Sequence, residues 1–162
     1  MDFKEITELI PHRPPFLWVD RVLELQSDQI RAEKEIPADL ELFQGHYPDY
    51  PIMPGVLLCE AVFQAGALLI ASDLKAVEND SGAKTVPVLT RINNAKFKRE
   101  VKPGDRIEML IRLTEKIGTA WFLHGTLRVN GKVAVKVDFA CTLIEDRSQE
   151  SGVRSEKTEG RN

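Results

Sequence analysis

The sequence predicts an α+β protein in which one long central helix is wrapped by an antiparallel β-sheet. One apolar run after Gly55, VLLCEAVFQAGALLIAS, is rich in Leu and Ala and too long for a strand. Segments of strand-like character lie on both sides of it in the chain. The turn signals Pro103-Gly104-Asp105 and Asn130-Gly131 separate the later segments, and Asn-Gly is a strong hairpin signal.

Ahead of the long helix, the pattern predicts a short helix, a hairpin and a stiff loop. The helix covers Phe3 to Ile10, and Pro11 ends it. Strands are predicted from Phe16 to Leu25 and from Ile30 to Ile36. The proline- and glycine-rich stretch Phe43 to Gly55, FQGHYPDYPIMPG, is predicted as a loop.

After the long helix, the pattern predicts a polar loop at residues 73–84 and then a run of strands. The predicted strands are Val86–Asn94 with a short continuation Ala95–Val101, Arg106–Ile117, Ala120–Val129 and Lys132–Ile144. Residues 146–162 have almost no apolar side chains, which predicts a disordered tail. Residues 1–145 are therefore expected to form a single domain.

Composition indicates an ordinary cytoplasmic globular protein. Of 162 residues, 43% are hydrophobic and 29% charged, with a net charge of −3, so no basic excess points to nucleic acid. Cys59 and Cys141 lie in apolar runs and are expected to be buried free thiols in a reducing compartment. No signal-peptide pattern is found, and Glu60 and Gln64 interrupt the longest apolar run, which we expect to fall short of a membrane span.

The long helix carries two polar side chains between Val56 and Ala71, namely Glu60 and Gln64. They are four residues apart and so share a face of the helix. Burying an unpartnered carboxylate is costly, so a buried Glu60 would indicate a functional acid. The alternative is a solvated acid at a helix end or a subunit edge.

His46 is the histidine with the most informative surroundings. Prolines stiffen its loop, and Tyr50-Pro51 is a candidate for a cis bond. The loop leads into the helix start at Gly55, whose free N–H groups favour developing negative charge. A surface histidine is the alternative. His12 and His124 are weaker candidates, and their spacing predicts no metal site.

The segment Arg91 to Arg106 is strongly basic, with six basic and two acidic side chains. Its candidate docking residues are Lys96, Lys98, Arg99, Lys102 and Arg106. Two interpretations stay open, an edge strand protected by lysines and a docking surface for an acidic partner.

Three segments, LIPHRPPFLWVDRVLE, FQGHYPDYPIMPGVLLCEAVFQAGA and KFKREVKPGDRI, resemble the β-hydroxyacyl-acyl-carrier-protein dehydratases of the FabZ type. The separation between His46 and Glu60 also matches that family. The resemblance implies the hot-dog fold and a homodimer, in some cases a hexamer built as a trimer of dimers. It implies that His46 of one chain and Glu60 of the partner chain share each site.

By this resemblance, His46 removes the proton α to a thioester carbonyl, and Glu60 protonates the leaving β-hydroxyl. The helix start at Pro54, Gly55 and Val56 binds the thioester, with the Gly55 N–H on its carbonyl oxygen, and Gln64 orients Glu60. The family acts in fatty-acid biosynthesis on an acyl carrier protein that docks on the basic segment, without a cofactor. Glutamate rather than aspartate at position 60 favours dehydration without isomerisation.

Five residues depart from the family pattern, namely Asp49, Tyr50, Phe63, Lys136 and Asp138. Asp49 and Tyr50 follow the histidine tripeptide where a glycine is usual, and Phe63 is expected to shorten or divert the acyl tunnel. Alternative functions are a hot-dog dehydratase or thioesterase acting on coenzyme A or polyketide thioesters, and a non-catalytic acyl-binding subunit.

Overall fold

The computed structural model describes residues 1–77 and 85–145. The helices are α1 (Phe3–Leu9), α2 (Leu42–Gly45) and α3 (Gly55–Val77). The strands are β1 (Arg21–Leu25), β2 (Gln29–Glu35), β3 (Thr85–Phe97), β4 (Arg106–Ile117), β5 (Ala120–Val129) and β6 (Lys132–Glu145). The expected disordered tail lies outside the described residues.

The described strands form one antiparallel sheet in the order β1-β2-β4-β5-β6-β3. The predicted hairpins β1–β2 and β5–β6 are confirmed, and Asn130 and Gly131 both have positive φ, as a two-residue hairpin turn requires. Strand β3 follows α3 in the chain, pairs with β6 and forms one edge of the sheet as far as Phe97. Its pairing shifts register between Leu89 and Arg91 and between Asn93 and Lys96.

Helix α3 packs against one face of the sheet and forms the centre of the core. The residues from Cys59 to Ile70 are buried with the exception of Glu60, and they meet large side chains of the sheet such as Trp121 and Phe139. The predicted layout of one helix wrapped by one antiparallel sheet is confirmed.

Helix α3 is longer than the sequence led us to expect. By length and composition alone, Gly55–Ala76 is long and apolar enough to cross a membrane, contrary to the expectation above. Within its most apolar window, 67% of the helix is buried inside this fold. That burial is typical of a core helix, since the sheet already covers the apolar surface.

Two glycines set how closely α3 approaches the sheet. A Cβ at Gly125 of β5 would lie 2.1 Å from Val62 Cγ1, and one at Gly66 of α3 would lie 2.7 Å from the Phe139 ring. The side chains of Val62 and Phe139 occupy the volume where a methyl group at these two positions would lie, so neither position has room for one.

Four local predictions are corrected by the structure. The strand predicted from Phe16 begins only at Arg21, because the backbone of Phe16 and Trp18 is hydrogen-bonded to the Gln64 side chain of α3. The predicted loop begins with the short helix α2, and α3 continues into the segment predicted as a polar loop. Within the described chain, the cis bond is Pro14-Pro15, not Tyr50-Pro51.

The two cysteines are buried and free, as predicted. Burial raises the pKa of the Cys59 thiol and raises that of Cys141 to about 11. A neutral thiol is a poor nucleophile, so neither cysteine is placed for nucleophilic chemistry.

We expect Gly125→Ala to lower the free energy of unfolding by about 1–3 kcal/mol, because the added methyl group overlaps Val62. Urea denaturation followed by circular dichroism measures the change. The matched control is Gly45→Ala, where a Cβ meets nothing within 4 Å and the expected change is within about 0.5 kcal/mol. Equal unfolding midpoints for the two variants would contradict the close approach of α3 to β5.

Candidate active site

Gln64 is the polar centre of the candidate site and is 1% exposed. Its amide oxygen accepts a hydrogen bond from the Trp18 backbone N–H at 2.7 Å. Its Nε2 donates to the Phe16 carbonyl oxygen at 2.9 Å and to Glu60 Oε1 at 2.9 Å. The side chain therefore joins the segment before β1 to the acid on α3, as the four-residue spacing predicts.

Glu60 lies on the same face of α3, and its side chain is 23% exposed in the single chain. The sequence suggested deeper burial, but the carboxylate lies at the margin of the core rather than inside it. Gln64 donates to Oε1, and no hydrogen bond to Oε2 is found among the described residues.

His12 lies beside Glu60, which the sequence analysis missed. Its Nε2 is 3.6 Å from Glu60 Oε1, and its Nδ1 is buried without a hydrogen-bond partner in the described chain. Burial lowers the pKa of His12, the Glu60 carboxylate opposes that shift, and Arg13 adds to it. Because 48 residues separate the two in the chain, no local pattern relates them. The signal available was the position of His12 in the proline-rich segment PHRPP.

His46 follows α2 directly and is fixed by its own loop. Its Nδ1 is 2.8 Å from the Ile52 carbonyl oxygen, which can only accept, so Nδ1 carries the proton. Tyr47, in the left-handed conformation at φ +52°, packs edge-on against the ring at 4.7 Å. The neutral His46 ring therefore has an unprotonated Nε2, as a general base requires.

The start of α3 lies next to His46. The N–H groups of Gly55 and Val56 have no hydrogen-bond partner in the described chain, since a helix leaves its first donors free. A Cβ at Gly55 would lie 2.8 Å from the Phe97 ring, so a larger residue there would require that ring to move. Val56 is 73% exposed, which gives a ligand access to these donors.

One open pocket of about 640 Å³ brings His46 together with Pro54, Gly55 and Val56. Glu60 is not part of its lining, and no hydrogen bond or ion pair joins His46 to Glu60 in the described residues. The described chain thus holds two separate groups of candidate residues, which we call half-sites: His46 with the helix start, and Glu60 with Gln64 and His12.

The candidate docking residues divide into two groups. Lys98 and Arg99 line the His46 pocket, and Lys98, Arg99 and Lys102 line a neighbouring pocket. Arg106 instead pairs with Glu35 at 3.7 Å, and Lys96 lies close enough to Asp138 to help lower the pKa of that carboxyl group. The first group is therefore the one available to a partner at the mouth of the pocket.

Tyr50, one of the departures from the family pattern, connects the His46 loop to this basic segment. Its hydroxyl donates to Glu100 at 2.7 Å, and Lys102 lies 5.0 Å from the centre of its ring. Phe63, another departure, is buried against Phe139 at 4.9 Å between ring centroids.

His124 lies away from these groups, on the more exposed face of the interior strand β5. Its Nδ1 is 2.6 Å from Asp138 Oδ1, and that hydrogen bond is the main cause of the lowered pKa of Asp138. Among residues 1–77 and 85–145, no three His, Cys, Asp or Glu side chains cluster to hold a metal ion.

Comparison with known proteins identifies the family. The model of the FabA-like domain matches residues 10–138. The chain belongs to the FabA-like family. The 3-hydroxyacyl-[acyl-carrier-protein] dehydratase FabZ of Anaeromyxobacter dehalogenans (strain 2CP-C) is 41% identical over 146 residues, or 90% of this chain and 92% of that protein. FabZ of Campylobacter hominis is 37% identical over 90% of this chain and 99% of that protein.

Solved structures share the fold of this family member. The dehydratase heterocomplex ApeI:P from Xenorhabdus doucetiae matches with a TM-score of 0.69 at 15% identity, covering 90% of this chain and 93% of that one. A hypothetical thioesterase with coenzyme A from Streptococcus pneumoniae TIGR4 matches with a TM-score of 0.59 at 12% identity, covering 79% and 88%. The predicted hot-dog fold is confirmed.

We expect Gln64→Leu to destabilise the protein, because the Trp18 N–H and the Phe16 carbonyl lose their partner inside the core. Each buried group left unpaired costs about 1–3 kcal/mol. Urea denaturation measures the loss. Gln26→Leu is the control, since Gln26 is exposed in the β1–β2 turn. A Gln64→Leu variant as stable as this control would show that the buried amide is dispensable.

Proposed function

We propose that this chain is a (3R)-hydroxyacyl-[acyl-carrier-protein] dehydratase of fatty-acid biosynthesis, active in the cytoplasm as a single domain of residues 1–145. It eliminates water from a β-hydroxyacyl thioester to give the trans-2-enoyl thioester. Its family and its FabZ relatives support the reaction. The observation that carries the assignment of residues is the pair of half-sites, one with a base and free N–H donors and the other with an oriented acid.

His46 acts as the base in this proposal. Its Nε2 takes the proton α to the carbonyl, while the hydrogen bond from Nδ1–H to Ile52 keeps the ring in the required tautomer. That same bond stabilises the imidazolium after the transfer, since a charged donor forms the stronger hydrogen bond.

The N–H groups of Gly55 and Val56 bind the thioester at the start of α3. As the α proton leaves, negative charge develops on the carbonyl oxygen, and a donor fixed at a helix N-terminus stabilises it without reorganising. A stabilised enolate makes the α proton acidic enough for a histidine base.

Glu60 acts as the acid. Its carboxyl proton passes to the β-hydroxyl oxygen, the bond from that oxygen to Cβ breaks, and water leaves. The electron pair from the α C–H bond becomes the new Cα–Cβ double bond. Gln64 positions the carboxyl group by holding Oε1, and the elimination uses only groups of the protein.

A homodimer completes the site in this proposal, and a hexamer made of three such dimers extends it. Strand β3 is a long edge strand that exposes Leu89, Ile92 and Phe97. An edge of this kind favours pairing with a second copy. Since Phe97 contacts Gly55, an interface on β3 brings the partner chain to the His46 half-site. His46 of one chain then faces Glu60 of its partner.

The acyl carrier protein docks on Lys98, Arg99 and Lys102 in this proposal. No ion pair engages these three side chains within the described part of the chain, and two of them border the His46 pocket. An acidic carrier bound there delivers its thioester at the mouth of that pocket. Arg106 and Lys96 contribute less, because each lies beside an acid of its own chain.

We expect His46→Ala and Glu60→Gln each to reduce kcat at least about a hundredfold, since each removes a proton-transfer group. Formation of the enoyl thioester from 3-hydroxybutyryl carrier protein, followed by absorbance, measures the rate. His124→Ala is the control, because His124 pairs with Asp138 outside both half-sites. Full activity in either variant would rule out the proposed mechanism.

Mixing the two inactive variants tests the shared site. If His46 and Glu60 act across the interface, a mixed dimer has one site with both groups intact and one with neither. Refolding or co-expressing the variants together should then restore activity up to about half per mixed dimer. Sites that lie within one chain predict no recovery at any mixing ratio.

We expect Lys98→Ala and Arg99→Ala to lower kcat/KM for the carrier-protein substrate, with a loss that shrinks as salt rises. The same variants should act normally on a short N-acetylcysteamine thioester, which needs no docking. Lys4→Ala, an exposed lysine on α1, is the control. Equal losses on both substrates would mean that these residues act in the reaction and not in docking. A coenzyme A thioester tests whether its phosphate groups bind to the same cationic side chains.

A further inference from the structure

An acidic side chain lies inside the proposed docking surface. Glu100 stands among the docking cations Lys98, Arg99 and Lys102 in the sequence, and it lines both pockets that these cations border. A carboxylate in that position can pair with a neighbouring cation, and a paired cation must give up that contact before it binds an acid of a partner protein. Within residues 1–77 and 85–145, however, Glu100 forms no ion pair.

Tyr50 holds the Glu100 carboxylate instead. The Tyr50 hydroxyl donates a hydrogen bond to Glu100 Oε2 at 2.7 Å, and a hydroxyl bonded to a charged acceptor makes one of the stronger hydrogen bonds. The ammonium group of Lys102 lies 5.0 Å from the centre of the same ring, within the range of a cation–π contact. The acid therefore lies at the hydroxyl end of the ring and the cation over its face, and the two charges stay apart.

The second acid of the segment is also held by a neutral donor. Asp105 Oδ2 accepts a hydrogen bond from the backbone N–H of Lys102 at 2.8 Å, and the Asp105 N–H donates to the Lys102 carbonyl oxygen at 3.1 Å. Both Glu100 and Asp105 are thus bonded to neutral groups. This arrangement leaves the three docking cations without an ion pair, although two acids lie among them in the sequence.

We propose that the Tyr50 hydroxyl acts on docking by keeping the Glu100 carboxylate from pairing with Lys98, Arg99 and Lys102, so that these cations stay available to an acidic carrier protein. Tyr50 is then a specificity-determining residue for the carrier and takes no part in the elimination. The inference rests on the proposed docking of the carrier protein on these cations.

The position of the His46 loop has other supports, so the hydroxyl of Tyr50 is not needed to fix it. The Met53 N–H donates to the Val101 carbonyl oxygen at 2.7 Å, and both residues are buried. This backbone bond joins the loop to the basic segment close to the exposed pair of Tyr50 and Glu100. His46 keeps its own hydrogen bond within the loop. Removing the hydroxyl is therefore expected to change docking and to leave the base in place.

Tyr50→Phe tests the proposal because it removes the hydroxyl and keeps the ring on which Lys102 lies. The Kd of the unacylated acyl carrier protein, measured by fluorescence anisotropy at low salt, should rise about two- to fivefold, the range expected for an exposed charge pair. The effect should disappear at high salt, because screening weakens contacts between exposed charges. The rate on a short N-acetylcysteamine thioester, which needs no docking, should stay within about twofold of the wild-type rate.

Glu100→Gln separates this role from a purely structural one. Glutamine keeps a side-chain oxygen that can accept from Tyr50 but carries no charge, so the Kd should equal or fall below that of the wild type. In the double variant Tyr50→Phe/Glu100→Gln, the loss of the hydroxyl should have no further effect, because no carboxylate is left to restrain. An equal rise in Kd on adding Tyr50→Phe to either background means that the hydroxyl only supports the loop, and this overturns the proposal.

Glu115→Gln is the matched control, since Glu115 is an exposed acid at the opposite end of β4 from the basic segment, and it should change neither the Kd nor the rate. An unchanged Kd in Tyr50→Phe overturns the inference, as does a wild-type chain that does not bind the carrier protein. Both are binding results, so they are independent of turnover. Absence of elimination on the short thioester by the wild-type chain would instead remove the proposed function.

Discussion

The buried amide of Gln64 is the interaction on which the rest of the site depends. It lies in an apolar stretch of α3, where an unpaired polar side chain is costly, and it has three hydrogen-bond partners. Two are backbone groups of the distant residues Phe16 and Trp18, and the third is Glu60, one turn away on the same helix. The backbone of Phe16 and Trp18 forms hydrogen bonds with this amide and is not part of a strand. Consequently the same amide fixes the entry to the sheet, the position of Glu60 and the approach of His12.

The spacing between helix and sheet is a second constraint, and it explains why the amide can act rigidly. Gly125 and Gly66 let Val62 and Phe139 fill the gap between α3 and the strands without a void. A helix held at this distance cannot shift along the sheet without steric overlap. Glu60 and Gln64 are therefore carried on a helix whose position is set by its packing against the sheet.

Much of this was predictable from the sequence, and the exceptions have a common cause. The helix at Gly55, the Asn130-Gly131 hairpin and the pairing of Glu60 with Gln64 follow from periodicity and local turn chemistry. The late start of β1, at Arg21 instead of the predicted Phe16, did not follow from local sequence. There the backbone of Phe16 and Trp18 is hydrogen-bonded to Gln64, which is distant in the sequence. The proximity of His12 to Glu60 was not predicted for the same reason, since only the tertiary fold brings the two side chains together.

The division of the site between elements has a chemical consequence. His46 is held by its own loop, through Ile52 and Tyr47, whereas Glu60 is held by the core through Gln64. Neither support depends on the other, so each half-site is already ordered within the single chain. In the proposed dimer, association has only to align two preorganised groups, and little binding energy is spent on ordering them.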